Sequence, residues 1–164
     1  MKKQISIIVA IAENSAIGKD NKLLWHISED LKRFKRLTKD HFVVMGKNTY
    51  FSLPTRPLPK RTNLIITDVA NEQIDDCLMA YSIQDSIEKM DAEGENFIIG
   101  GGSIYAQFMP IADKLYITRV HKDFEADTFY PEISNNEWQL IEKQDINNDT
   151  QNDFSYSFET YLRK

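Results

Sequence analysis

The chain has 164 residues, 41% of them apolar, 27% charged and 11% aromatic, with a formal net charge of −5. One domain's worth of chain with this composition excludes intrinsic disorder, collagen-like structure and coiled coil. The acidic balance argues against nucleic acid as the main ligand, the single cysteine, Cys77, excludes a disulfide framework within the chain and points to a reducing compartment, and His26, His41 and His121 show no metal-ligand spacing, so no metal is expected.

Lys2 and Lys3 precede the apolar run Ile5–Ala12, which imitates a short signal peptide. Ser6 interrupts that run, Glu13 follows it at once, and no convincing small-x-small cleavage site is present, so it reads as a first strand. Ile5–Ile11 is rich in β-branched residues without alternation, the pattern of a strand buried on both faces. Asn14–Lys22 is polar, contains Gly18 and reads as a loop. Ser28 is expected to cap a helix reaching about Leu37. Phe42–Met45 is a second strand ending at Gly46, and Lys47–Leu53 a short helix stopped by Pro54, Pro57 and Pro59. Asn63–Thr67 and Cys77–Tyr81 are the next strands, followed by a helix over Ser82–Met90. Phe97–Ile99 is a strand running into Gly100, Gly101 and Gly102, and Ser103–Phe108 a helix ending before Pro110. Lys114–Lys122 alternates and forms a longer strand. Trp138–Lys143 and Phe154–Leu162 also alternate and are consecutive, which suggests an antiparallel edge.

No apolar stretch approaches the ~20 residues that a membrane helix needs. Strands alternating with helices, then strands alone, predict an α/β fold: a single domain over 1–164 with a mostly parallel central sheet of about eight strands, an antiparallel C-terminal edge and helices on both faces. A soluble cytoplasmic monomer is expected. In such sheets ligands sit in a crevice at the carboxyl ends of the strands, directly after Ile11, Met45, Thr67 and Ile99.

Three features carry chemistry. Four of the six glycines lie at two strand-to-helix junctions, Gly46 and Gly100–Gly102. Helix N-termini offer free N–H groups to anions, and glycine permits close approach of a phosphate; two tight turns that merely need glycine read the same way. The junctions match neither a Walker loop nor the G-x-G-x-x-G fingerprint. Asp30 projects along the same helix face as Phe34, at the border of the stripe Ile27, Leu31, Phe34 and Leu37, where a carboxylate is expensive unless paired. A first-turn acid favoured by the helix dipole is the plainer alternative. Lys32, Arg33, Lys35 and Arg36, then Arg56, Lys60 and Arg61, concentrate positive charge in an acidic protein. Most of these read as a solvated face, the helical four lying mostly toward solvent, but an arginine in the proline-bounded loop can clamp a carboxylate with two parallel hydrogen bonds. There is no G-x-S-x-G elbow. Cys77, Trp25 and Trp138 read as packing residues, although Trp25 shortly precedes the helix that carries Asp30.

In order, Ala16-Ile17-Gly18, Leu24-Trp25, Asp30-Leu31-x-x-Phe34, Val44-Met45-Gly46-Lys47-x-Thr49, Arg56-Pro57-Leu58-Pro59-x-Arg61, Ile98-Ile99-Gly100-Gly101-Gly102-x-Ile104-Tyr105, Leu115-Tyr116-Ile117-Thr118 and Asp127-Thr128-Phe129-Tyr130-Pro131 resemble the dihydrofolate reductases over nearly the whole chain, Ile5 to about Leu162. The resemblance implies reduction of 7,8-dihydrofolate to tetrahydrofolate with NADPH, a supply for one-carbon metabolism and thymidylate synthesis, and sensitivity to antifolate inhibitors. Asp30 and Trp25 would be the catalytic residues, Asp30 pairing with the pterin's amidine-like edge beside Thr118. Ile8, Leu31, Phe34, Leu53, Leu58 and Ile99 would wall the pocket. Arg61 would bind the α-carboxylate of the glutamate tail, with Lys35 and Arg56 near by. Ala10 and Ile99 would offer carbonyls to the ring edges of substrate and nicotinamide. A mobile loop from Ile17 to Leu24, with Gly18, Asn21 and Leu23, would close over the nicotinamide. Gly46, Lys47, Asn48 and Thr49, and Gly100, Gly101, Gly102, Ser103, Ile104 and Tyr105, would cradle the phosphates across a cis Gly100–Gly101 bond, with Gln107 and Thr128 adjoining. Lys47, Thr67, Asp68 and Ser103 fall at the adenosine 2′-phosphate site.

The chain departs from the family pattern at Leu24 and Ser28, where proline is common, and at Pro54-Thr55, which replace a glycine before Arg56 with one residue extra. Few positive groups mark the 2′-phosphate site, so Lys47 is expected to carry most of a preference for NADPH over NADH. Two other readings remain: a related pterin or pyrimidine reductase, against which Arg61 speaks because it answers a glutamate carboxylate, and a non-catalytic nucleotide-binding module, against which Asp30, Trp25 and Thr118 speak.

Overall fold

In the computed structural model, which describes residues 2–19 and 23–164, the chain runs β1 (Gln4–Ala12), β2 (Ala16–Gly18), α1 (Ser28–Thr38), β3 (Phe42–Gly46), α2 (Lys47–Ser52), β4 (Thr62–Ile66), β5 (Leu78–Ala80), α3 (Ile83–Lys89), β6 (Glu95–Gly100), α4 (Gly102–Phe108), β7 (Lys114–Val120), β8 (Thr128–Phe129), β9 (Trp138–Ile146) and β10 (Tyr156–Arg163). The unbroken apolar run of β1 requires a partner on each edge and a layer on each face. It lies inside an eight-stranded sheet ordered β5-β4-β3-β6-β1-β7-β10-β9. Pairing is parallel from β5 to β7, and β10 runs antiparallel to both β7 and β9.

The period-2 alternation of strand side chains divides the core into two layers. Val43, Met45, Phe97 and Ile99 face the layer that holds Phe34 and Leu37 of α1 and Tyr50 of α2. Val44 and Ile98 face the layer that holds Ile83 and Ile87 of α3 and Tyr105 and Phe108 of α4. The expected α/β architecture, with eight strands, an antiparallel C-terminal edge and helices on both faces, is the one observed. Among the described residues no helix is long and apolar enough to cross a membrane.

The differences are local. The expected loop Asn14–Lys22 contains β2, which pairs with β8 in a separate two-stranded ribbon. Two or three residues carry too little pattern to announce a strand. Ser28 does not cap α1: Ile27 is the N-cap residue, with extended backbone angles, and Ser28 opens the helix while its hydroxyl donates to Gln151 Oε1 at 3.1 Å. Packing decides this boundary, because Ile27 is only 2% exposed and anchored with Val120 and Tyr156. Ser82, by contrast, does cap α3, its hydroxyl accepting from the Asp85 N–H.

Candidate active site

The carboxyl ends of β1 and β7 and the first turn of α1 converge on one carboxylate. Thr118 pairs with Ala10 across the β1–β7 ladder, so its side chain is fixed by the sheet. Its hydroxyl donates to Asp30 Oδ1 at 2.5 Å. Burial pushes the Asp30 carboxyl above its ordinary value of 3.8, against the opposing pull of the Thr118 hydrogen bond and the Arg33 charge. An acid made reluctant to ionise inside a cleft is a candidate proton donor.

Arg33 overturns the expectation that the helical cations lie toward solvent. It is buried, its guanidinium 4.7 Å from the Phe158 ring centroid and 5.8 Å from that of Tyr116. A planar guanidinium stacks on aromatic faces and tolerates such a place where a lysine would not. The buried face of α1 is therefore wider than its apolar stripe, because β10 supplies Phe158 beside it. Arg33 draws the Asp30 pKa down, whereas Tyr105 and Tyr156 are themselves held up in part by the Asp30 charge. In Arg33→Met, Asp30 is expected to titrate at higher pH than in the wild type. Carboxyl-carbon NMR measures this directly, and an unchanged titration would remove Arg33 from the electrostatics of the site.

Ile8 and Ile99 are buried in one cluster, and Phe34, Leu53 and Leu58 pack partly buried against it, so five of the six expected wall residues share a layer. Leu31 differs, at 48% exposure. Trp25 is not brought to Asp30 by any hydrogen bond; it packs at 5.1 Å on the Phe124 ring in the cluster around Ile27. Arg61 is half-buried, and its Nε donates to the Pro59 carbonyl at 2.9 Å and its Nη1 to Thr38 Oγ1 at 3.1 Å. Its guanidinium lies 5.9 Å from the Phe34 ring, and among the described residues no carboxylate pairs with it. Arg56 is exposed and turned to its own loop, donating to the Phe51 carbonyl at 2.9 Å, and Lys35 is exposed.

The second half of the crevice is glycine-built. Gly100–Gly101 is cis, as expected, and so is Arg56–Pro57. Gly100 has a φ of 126°, a conformation that favours glycine. A Cβ at Gly102 would lie 2.5 Å from Thr128 Cγ2, and one at Gly101 would lie 3.3 Å from Thr49 Oγ1. Ile17 approaches the same glycine, and Gly18 pairs with Thr128, so the β2–β8 ribbon closes against Gly102. Leu23 is 73% exposed, and Asn21 lies outside the described residues. Tyr105 turns inward, its hydroxyl donating to the Ile8 carbonyl at 3.1 Å.

Beyond these glycines a cleft of about 410 Å³ runs past Lys47, Asn48, Thr67, Asp68, Ser103, Ile104 and Gln107. Lys47 Nζ donates to the two carboxylate oxygens of Glu72 at 3.2 and 3.1 Å, and Thr67 Oγ1 donates to Glu72 Oε1 at 2.5 Å. The Thr67 hydroxyl and then Lys47 hold the Glu72 carboxyl below its ordinary value. Glu72 sits in the loop after β4, and nothing in the sequence around it marks it as part of a site. Among the described residues no group of three His, Cys, Asp or Glu side chains forms a metal site.

Residues 4–163 match the dihydrofolate reductase family. The chain is 37% identical over 160 residues to the dihydrofolate reductase of Bacillus subtilis, covering 98% of this chain and 95% of that protein. It is 38% identical over 160 residues to that of Staphylococcus haemolyticus, covering 98% and 96%. Among solved structures it is similar to the dihydrofolate reductase from Enterococcus faecalis complexed with NADP(H) and RAB-propyl, with a TM-score of 0.89 and 34% identity over 98% of this chain and 96% of that one. Agreement of sequence and fold over this length makes the chain a member of the dihydrofolate reductase family.

Proposed function

We propose that the chain reduces 7,8-dihydrofolate to 5,6,7,8-tetrahydrofolate with NADPH. The observation that carries this reading is Asp30: a half-buried acid held by the sheet through Thr118, beside an apolar layer, with Arg61, which no carboxylate among the described residues pairs with, against the same Phe34 that helps form that layer. Asp30 pairs with the amidine-like edge of the pterin, and Thr118 fixes the carboxyl for that pairing. Reduction adds a proton at N5 of the ring. Burial disfavours the Asp30 anion and so favours a proton on the carboxyl, and water completes the delivery. Ile8, Phe34, Leu53, Leu58 and Ile99 exclude bulk water and set the ring plane. Arg61 receives the α-carboxylate of the glutamate tail. Antifolates that present a protonated amidine-like edge are expected to pair with Asp30 in the same way.

The glycine-built half of the crevice fits a dinucleotide. Gly101 and Gly102 lie where any Cβ would crowd Thr49 or Thr128, so backbone is left to face a ligand, and the adjoining cleft is lined by hydroxyl, amide and ammonium donors. Gly46, Asn48, Thr49, Gly100–Gly102, Ser103 and Ile104 would hold the phosphates, and Lys47 and Thr67 the ribose phosphate. The reduced nicotinamide, when bound, supplies the hydride that goes to C6 of the pterin. Mixing the protein with NADPH and dihydrofolate is expected to bleach the nicotinamide absorbance. No decay at substantial enzyme concentration would overturn the reading.

A further inference from the structure

The two residues placed to receive the ribose phosphate already hold an anion. Glu72 Oε1 accepts from Thr67 Oγ1 at 2.5 Å, and Lys47 Nζ reaches both carboxylate oxygens at 3.2 and 3.1 Å. The carboxylate is seated rather than trailing in solvent: the Glu72 side chain is 25% exposed, its N–H bonds to the Val69 carbonyl at 3.3 Å, and its carbonyl accepts from the Tyr81 hydroxyl at 3.0 Å. Lys47, Thr67 and Tyr81 all line the cleft, as does Asp68. Lys47 thus shares the cleft lining with the Asp68 carboxyl while its ammonium is paired with Glu72. A carboxylate and a phosphate monoester ask for the same thing, an ammonium and a hydroxyl donating to anionic oxygen. The single Thr67 O–H cannot serve both at once, and two anions on the one Lys47 ammonium repel each other.

We propose that Glu72 is a specificity-determining residue for the dinucleotide: its carboxylate fills the anion seat of Lys47 and Thr67, and a ribose phosphate binds only by displacing it. The inference rests on the cofactor reading given above. A dinucleotide without the phosphate leaves the Lys47–Glu72–Thr67 cluster intact and is indifferent to the charge on residue 72. The phosphorylated form must break an ion pair and approach a second negative charge. Discrimination between the two is therefore weaker than Lys47 alone would produce.

Calorimetric titration of NADP⁺ and NAD⁺ into the wild type, Glu72→Gln and Glu72→Ala tests this without turnover. Glu72→Gln preserves the acceptor for Thr67 and removes only the charge. It is expected to bind NADP⁺ about tenfold more tightly and NAD⁺ within about twofold of the wild type, the scale of relieving one close like-charge contact near a surface. Glu72→Ala should move the ratio in the same direction, and added salt should shrink the difference. If the wild type binds both dinucleotides and neither variant changes their ratio, Glu72 does not set specificity and the cofactor reading stands. Equal gains for both dinucleotides also overturn the inference. If the wild type binds neither, the cofactor reading fails and the inference falls with it.

Discussion

Asp30→Asn is expected to fold and to lose about 100- to 1,000-fold in the rate of hydride transfer at neutral pH, the usual scale of a lost general acid. Asparagine can still accept the Thr118 hydroxyl, so the geometry at the carboxyl end of β7 survives. What it cannot do is exchange a proton with the pterin. The deficit should narrow toward acid pH, where solvent supplies that proton. In the wild type, activity should fall as pH rises through the raised pKa of Asp30, because the ionised form has no proton to give. Single-turnover measurements between about pH 5 and 9 separate this from product release. Near-normal hydride transfer by the variant at neutral pH would remove Asp30 from proton delivery.

The same shift makes a statement about stability. The folded pKa of Asp30 lies above its ordinary value of 3.8, so the unfolded chain releases the proton first as pH rises. Below that ordinary value both states are protonated and the burial penalty is absent. It grows between the two pKa values and is complete above the folded one. Asp30→Asn should therefore match the wild type in thermal stability at strongly acid pH and exceed it near neutrality. A functional group held at a cost to the fold behaves in this way.

The parts legible in the sequence are those dictated by local pattern. The unalternating apolar run of β1, the glycines after β6, the alternation that ends in β10 and the position of Asp30 beside Phe34 each depend on residues a few places apart. Arg33 and Glu72 were not legible, for a shared reason. Arg33 looks solvent-facing because an arginine interrupts the apolar stripe, and only the arrival of Phe158 from the far end of the chain makes its place a stacking site. Glu72 looks like a loop acid until β4 and α2 set Thr67 and Lys47 around it. Ser28 shows the same limit: its capping chemistry is right, but the packing of Ile27 moves the helix start by one residue. Contacts between distant segments decide where charges sit, and a run of neighbouring residues does not record them.

Arg61→Leu should weaken folate binding by about 1.5–3 kcal/mol, roughly 10- to 150-fold in Kd, and leave pterins that lack the glutamate tail nearly unchanged. The magnitude is that of hydrogen bonds from a charged group and is set by partial burial. Burial lowers the basicity of Arg61, and among the described residues no neighbouring carboxylate restores it. A cation in that state is improved by an incoming anion, whereas an exposed lysine or arginine gains little from one. The fold should tolerate the change. Thr38 Oγ1 keeps its bond to the Phe34 carbonyl at 2.7 Å, so the end of α1 stays closed when the Arg61 contact is lost. A leucine can also cover the Phe34 ring that the guanidinium now faces. The comparison of two ligands therefore isolates the carboxylate from the pocket. Titrating folate and a tail-less pterin against both proteins gives the four constants needed. Equal losses for the two ligands would place Arg61 in the support of α1 through Thr38, and would return the related pterin reductase to contention.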